Sequence, residues 1–166
     1  VETNSSWFTD AEKARQALRE LRGIGVDTLL LSISPFHNAY IPFAKVKGLA
    51  SVCQEVGMGV FPWITSFISD IEAFDDDKPH PLVKYAEKYG DSYLASLPNR
   101  YSLTFGGRTQ STFANQFEHH MIGEVLRRHE GPCHELSNTS HFHIDLHGDY
   151  IPSLCVGLAI QRDDLG

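Results

Sequence analysis

The stretch Thr28-Leu-Leu-Leu-Ser-Ile33 constrains the fold more than any other part of this chain. It is an almost continuous apolar run of strand length, and such a run suits a strand covered on both faces, as in a parallel sheet. Helical patterns flank it. Thr9-Asp-Ala-Glu12 matches a capping box, which makes Thr9 the expected N-cap. A helix then follows to about Arg22, with Ala11, Ala14, Leu18 and Leu21 on one face, ended by Gly23 and Gly25. A second helix spans about Phe43 to Val56, with Cys53 on its core side, and closes at Gly57 and Gly59. Short strands at Val1–Thr3 and Val60–Ile64 bracket the whole. Strand, helix, strand, helix, strand is two successive right-handed crossovers. The class is α/β, either an open doubly wound sheet or part of a barrel.

Composition narrows the function classes. With 166 residues, 42% of them hydrophobic, the chain has enough material for one domain with a real core or a large piece of one, and too little charge for wholesale disorder. The net charge of −7 argues against a broad nucleic-acid footprint. No run of about 18 apolar residues is present to span a membrane. Val1-Glu-Thr-Asn4 has neither a basic region nor an apolar core of a secretory signal, so the three cysteines are expected to be reduced thiols in the cytoplasm. The chain opens in a strand without a methionine and stops at Gln161–Gly166 without a terminal helix, so we expect a fragment of a longer protein.

Beyond Ile64 the pattern is less regular. Asp75-Asp-Asp77 followed by Lys78-Pro-His-Pro81 is a polar loop, expected to be a solvated face rather than a metal site. Helices are expected over Leu82–Lys88 and near Ser92–Leu97, a short strand over residues 101–106, and a helix over Thr112–Arg128 with Phe113, Phe117, Met121 and Val125 on one stripe. We expect residues 1–128 to form the later part of a partial α/β barrel with parallel strands. Residues 129–166 would be a C-terminal extension containing a β-hairpin.

Two places concentrate candidate chemistry. In a parallel sheet, ligands bind at the carboxyl ends of the strands, where this chain carries Thr3 and Asn4, then Ser32, Ser34 and His37. Neither strand-to-helix turn has a glycine-rich phosphate fingerprint, which lowers a dinucleotide reading. The second place is His141-Phe-His-Ile-Asp-Leu-His-Gly-Asp-Tyr150. Strand periodicity puts His141, His143, Asp145 and His147 on one face, a ligand set suited to a divalent metal. The competing reading is a half-exposed antiparallel strand that turns at Gly148-Asp149 and returns through Tyr150-Ile-Pro152.

Four stretches together resemble the radical S-adenosylmethionine (SAM) superfamily: Val1-Glu-Thr-Asn4, Leu31-Ser-Ile-Ser-Pro-Phe-His-Asn38, Gly106-Gly-Arg-Thr109, and His143-Ile-Asp-Leu-His-Gly-Asp-Tyr-Ile-Pro152 with Cys155. They resemble, in order, the third barrel strand, the fourth strand with its polar end, a Gly-Arg element near the sixth, and a late His-x-Asp segment followed by a cysteine. Each motif is short, and the likeness rests on their order along nearly the whole chain. The family's Cys-x-x-x-Cys-x-x-Cys, which holds a 4Fe-4S cluster, is absent from these 166 residues, as is its Gly-Gly-Glu motif.

The resemblance implies that Asn4, Ser32, Ser34 and Arg108 face S-adenosylmethionine and that His37 and Asn38 lie on the substrate side. Cys133 and Cys155 distantly resemble the start of an auxiliary-cluster segment. The intact parent would cleave S-adenosylmethionine at its cluster, take electrons from a donor, and act on a small-molecule or peptide substrate. This chain by itself would be inactive. Two other readings stand beside it: a metal-dependent hydrolase using His141, His143 and Asp145 with a metal-bound water, and a non-catalytic binding module.

Overall fold

The computed structural model describes residues 1–101, 103, 108–116, 118–128, 131, 140, 142–152 and 159–164. It divides into two compact units, Val1–Tyr101 and Ser102–Gly166.

The first unit is built on a three-stranded parallel sheet in the order β1 (Glu2–Thr3), β2 (Thr28–Ser32), β3 (Gly59–Trp63). The register runs Glu2↔Leu30↔Phe61 and Thr3↔Leu31↔Pro62, with Ser32 opposite Trp63. Helix α1 (Ala11–Gly23) links β1 to β2, and α3 (Phe43–Glu55) lies between β2 and β3. Two like-handed crossovers on neighbouring strands place both helices on one side of the sheet, and α1 and α3 pack together there. Their apolar stripes meet alternate residues of the central strand. Ala14, Leu18, Leu49, Val52, Cys53, Leu29 and Leu31 are all at most 2% exposed.

The expectation of a β2 covered on both faces is corrected by this alternation. Leu29 and Leu31 are buried, but Leu30 is only partly so, and its neighbour Phe61 is 52% exposed. The unbroken leucine run hides two unlike faces, because side chains point to alternate sides whatever their type. The parallel order matches a segment of an α/β sheet, and no closed barrel forms among the described residues.

The N-cap of α1 is Asp10, not Thr9. The Asp10 Oδ1 accepts from the Lys13 backbone N–H at 2.9 Å, and the Thr9 hydroxyl donates to the Asp10 carboxylate instead. An ionised cap gains from the partial positive charge of the helix N-terminus, which tips the choice between two adjacent cap formers. In α3, Gly48 leaves room for the Phe8 ring; a Cβ there would lie 2.6 Å from it, so Phe8 staples the β1–α1 loop onto α3.

Past β3, a single helical turn (Thr65–Phe67) leads into α4 (Ile68–Glu72), α5 (Leu82–Tyr89) and α6 (Asp91–Tyr101). The last two pack as a pair around an aromatic cluster in which Tyr93 stacks on Tyr85 and on Tyr89, and Phe74 meets Tyr85 at a tilt. The acidic loop is ion-paired: Lys47 binds Asp76 at 2.7 Å and Glu72 at 3.1 Å, and Lys78 binds Asp75.

In the second unit, the expected single helix over Thr112–Arg128 is two pieces, α7 (Arg108–Phe113), continued by a helical turn at Ala114–Gln116, and α8 (Ile122–Arg128), with residues 118–121 outside any helix. Phe113 is buried but Met121 is 75% exposed, so the four-residue stripe does not share one surface. The strand expected over residues 101–106 is not seen where it can be checked, since Tyr101 ends α6 and Leu103 has no regular structure. The expected hairpin is present: β4 (Phe142–Ile144) pairs antiparallel with β5 (Tyr150–Pro152). Gly148 makes the turn at φ +86°, a conformation that suits a residue without a Cβ.

Candidate functional site

The carboxyl ends of β1 and β2 gather the polar groups. The Ser32 hydroxyl donates to Glu2 Oε1 at 2.8 Å, tying the two strands through their side chains. Two residues on, Ser34 caps a short helix, α2 (Pro35–Asn38). Its Oγ accepts from the His37 backbone N–H at 3.3 Å and lies 2.7 Å from His37 Nδ1. The chain turns so sharply because Ser34 caps and Pro35 starts the helix with its φ already set.

His37 is part-buried. Loss of water lowers its basicity from the ordinary histidine range, and the nearby Glu2 charge opposes that effect. The same two influences, burial and then Glu2, raise the Tyr101 phenol, whose ring centroid is 6.4 Å from that of His37. Glu2, Ser32, Ser34, His37 and Tyr101 therefore form one electrostatic neighbourhood at this end of the sheet. A void of about 10 Å³, close to the size of one water, lies beneath Ser32, Ser34 and His37.

Two backbone outliers flank the same end. Ser5 sits at φ +64° just after β1, fully buried, with its hydroxyl lacking a hydrogen-bond partner among the described residues. Ile64 sits at φ +60° just after β3, where a β-branched side chain is a genuine steric outlier. Strain of this kind collects where a chain must present particular groups.

The expected site residues divide. Ser32, Ser34 and His37 come together as described. Asn4 is exposed, and its side-chain oxygen accepts from the Ser6 N–H at 3.1 Å, closing a turn. Asn38 is 3% exposed and engaged at both ends, donating to the Ile41 carbonyl and accepting from the Tyr85 hydroxyl at 2.7 Å. It locks α2 onto α5. Arg108 opens α7 in the second unit.

Cys133, Cys155 and His141 lie outside the described residues. His143 is in β4, but that strand ends at Ile144, so the alternating face does not continue through Asp145 and His147. The Asp145 Oδ1 accepts from the backbone N–H of His147 at 2.8 Å and of Asp149 at 3.0 Å, and these bonds lower its pKa. Asp145 shapes the hairpin turn. Among the described residues, no three His, Cys, Asp or Glu side chains are grouped to hold a metal ion. Cys53 is fully buried in α3, and burial pushes its thiol up, away from the thiolate an iron–sulfur cluster needs.

Sequence reasoning missed Glu2, Tyr101, Phe61 and Trp63. The signal for the aromatic pair was present, since Phe61 and Trp63 are two apart in a strand and share a face. Which face that is depends on register, which the sequence does not give. No protein-family model, curated protein or solved structure matches this chain. No helix among the described residues is long and apolar enough to cross a membrane.

Proposed function

We propose that this chain is part of a radical S-adenosylmethionine enzyme and contributes strands three to five of its barrel. The observation that carries the reading is the polar cluster at the carboxyl ends of a parallel α/β sheet, where such folds place their ligands. The order of the four motifs along the sequence supports it. Bound at a cluster, S-adenosylmethionine supplies reductive cleavage and hydrogen abstraction, and an electron donor starts the reaction.

The described residues do not fit the 4Fe-4S cluster itself, because the thiol they offer, Cys53, is buried in the core. The reading therefore requires cluster thiolates from sequence outside these 166 residues. They fit the organic cofactor better. Ser32 and Ser34, 2% and 1% exposed, would form the floor beneath it, and Asn4 is a further candidate to face it. His37 would line the substrate side, where its partly desolvated imidazole favours the neutral form. Asn38 would act from behind, by fixing α2.

The test is the gene. Its coding sequence ahead of Val1 should encode Cys-x-x-x-Cys-x-x-Cys. The longer protein, reconstituted with iron and sulfide and reduced with dithionite, should release deoxyadenosine from S-adenosylmethionine. An intact upstream sequence without those cysteines overturns the proposal.

A further inference from the structure

The sheet face turned away from α1 and α3 carries an arrangement that the motifs do not describe. Glu2, Leu30 and Phe61 form one cross-strand row on it, and Ser32 and Trp63 begin the next. The Glu2 side chain does not stay in its own row. Its carboxylate reaches along the sheet to Ser32, whose hydroxyl holds Oε1 at 2.8 Å. Ser32 is the direct register partner of Trp63, and neighbouring strands lie about 4.8 Å apart. The serine that holds this carboxylate is thus one strand away from the column of Trp63 and Phe61, whose ring centroids are 6.2 Å apart and tilted at 59°.

These aromatic side chains are costly to leave in water unless something covers them. Trp63 is 42% exposed and Phe61 52%. Glu2 is exposed as well, and it has no ion-pair partner among the described residues. A carboxylate whose position is pinned by a hydroxyl, next to open aromatic rings, is complementary to a cation with an apolar body. The carboxylate supplies the counter-charge, and the π faces attract the cation within about 6 Å and cover its hydrocarbon. An anion would meet Glu2 head-on, and a neutral apolar molecule would leave that carboxylate partly desolvated without a partner.

We infer that the open part of this sheet face, at Glu2, Phe61 and Trp63 with the buried Ser32 beneath the carboxylate, is a binding site for a small organic ammonium compound, the amine end on Glu2 and the apolar body against Trp63 and Phe61. This rests on reading the sheet end as a small-molecule site and names the chemical class of ligand that its Glu2 side takes. It does not depend on the iron–sulfur chemistry.

The experiment titrates the 166-residue chain with benzylammonium, benzyl alcohol and benzoate while recording proton–nitrogen spectra. Benzylammonium should shift the Trp63 indole N–H and the Ser32 amide in a saturable way. Benzyl alcohol and benzoate should bind at least about fivefold more weakly. Glu2→Gln should weaken benzylammonium binding by a similar factor while leaving signals away from Ser32, His37 and Tyr101 in place, and Trp63→Leu should weaken it while leaving β3 paired.

Equal binding of benzyl alcohol, or an unchanged affinity in Glu2→Gln, overturns the assignment. The titration needs neither cluster nor cofactor. Its failure therefore leaves the radical reading to the gene test, and failure of the gene test leaves the ammonium site standing.

Discussion

The two faces of the small parallel sheet use the same three strands in opposite ways. Behind it, Leu29 and Leu31 of β2 are each 1% exposed and pack under α1 and α3. In front, Leu30 looks across at the exposed Phe61 and at Glu2. Three consecutive leucines thus do two jobs. The back face holds the unit together through buried area, while the front face keeps charge and aromatic surface in water. A face that stays open in spite of its apolar content is where binding is to be sought.

Breaking the back face should have the largest effect. Leu31→Ala deletes a fully packed side chain and is expected to cost about 2–5 kcal/mol, read as a lower urea midpoint. The front face should answer differently: Phe61→Thr in the same sheet should change that midpoint by no more than about 1 kcal/mol. A comparable loss in both variants would erase the distinction.

Smaller effects sharpen it. Tyr85→Phe strands the Asn38 side-chain oxygen inside the core and should cost about 1–3 kcal/mol, showing that Asn38 acts as a brace. Ser5→Gly removes a left-handed backbone strain and an unpartnered buried hydroxyl, and should raise stability by about 1 kcal/mol.

The pH response should be the most modest. The folded state resists protonation of His37 more than the unfolded chain does. Its contribution is therefore complete above the ordinary histidine range and is lost as the pH falls below it. Melting temperature should drop between about pH 7.5 and about pH 5.5, and His37→Gln should make that drop shallower.

Much of the framework was legible in advance because it is local. Periodic apolar residues marked α1 and α3, glycines marked their ends, and the Gly148-Asp149 turn marked the hairpin. The errors were local contests with a second competitor. Asp10 outbid Thr9 as a cap, and the stripe from Phe113 to Val125 looked continuous although the helix breaks before Ile122. The one-face alternation read along the histidine segment stops early for a related reason, although its hairpin forms as expected. Its alternation is strict in sequence, but Asp145 gains more by accepting turn N–H groups than by continuing a strand.

The site divides along the same line. Ser32, Ser34 and His37 are close in sequence, so the polar strand end could be read directly, whereas the short helix that Ser34 caps was not expected. Glu2 meets Ser32 across 30 positions, and Trp63 joins them only through the register of a third strand. The sequence by itself determined the α/β alternation, the polar residues at the strand ends, and the hairpin, because propensity, capping and turn geometry act over a few residues. Tertiary structure alone decided which leucine faces the core, which carboxylate stands beside which aromatic ring, and that Asn38 is a brace. Those depend on strand pairing and helix packing, which no short stretch of sequence encodes.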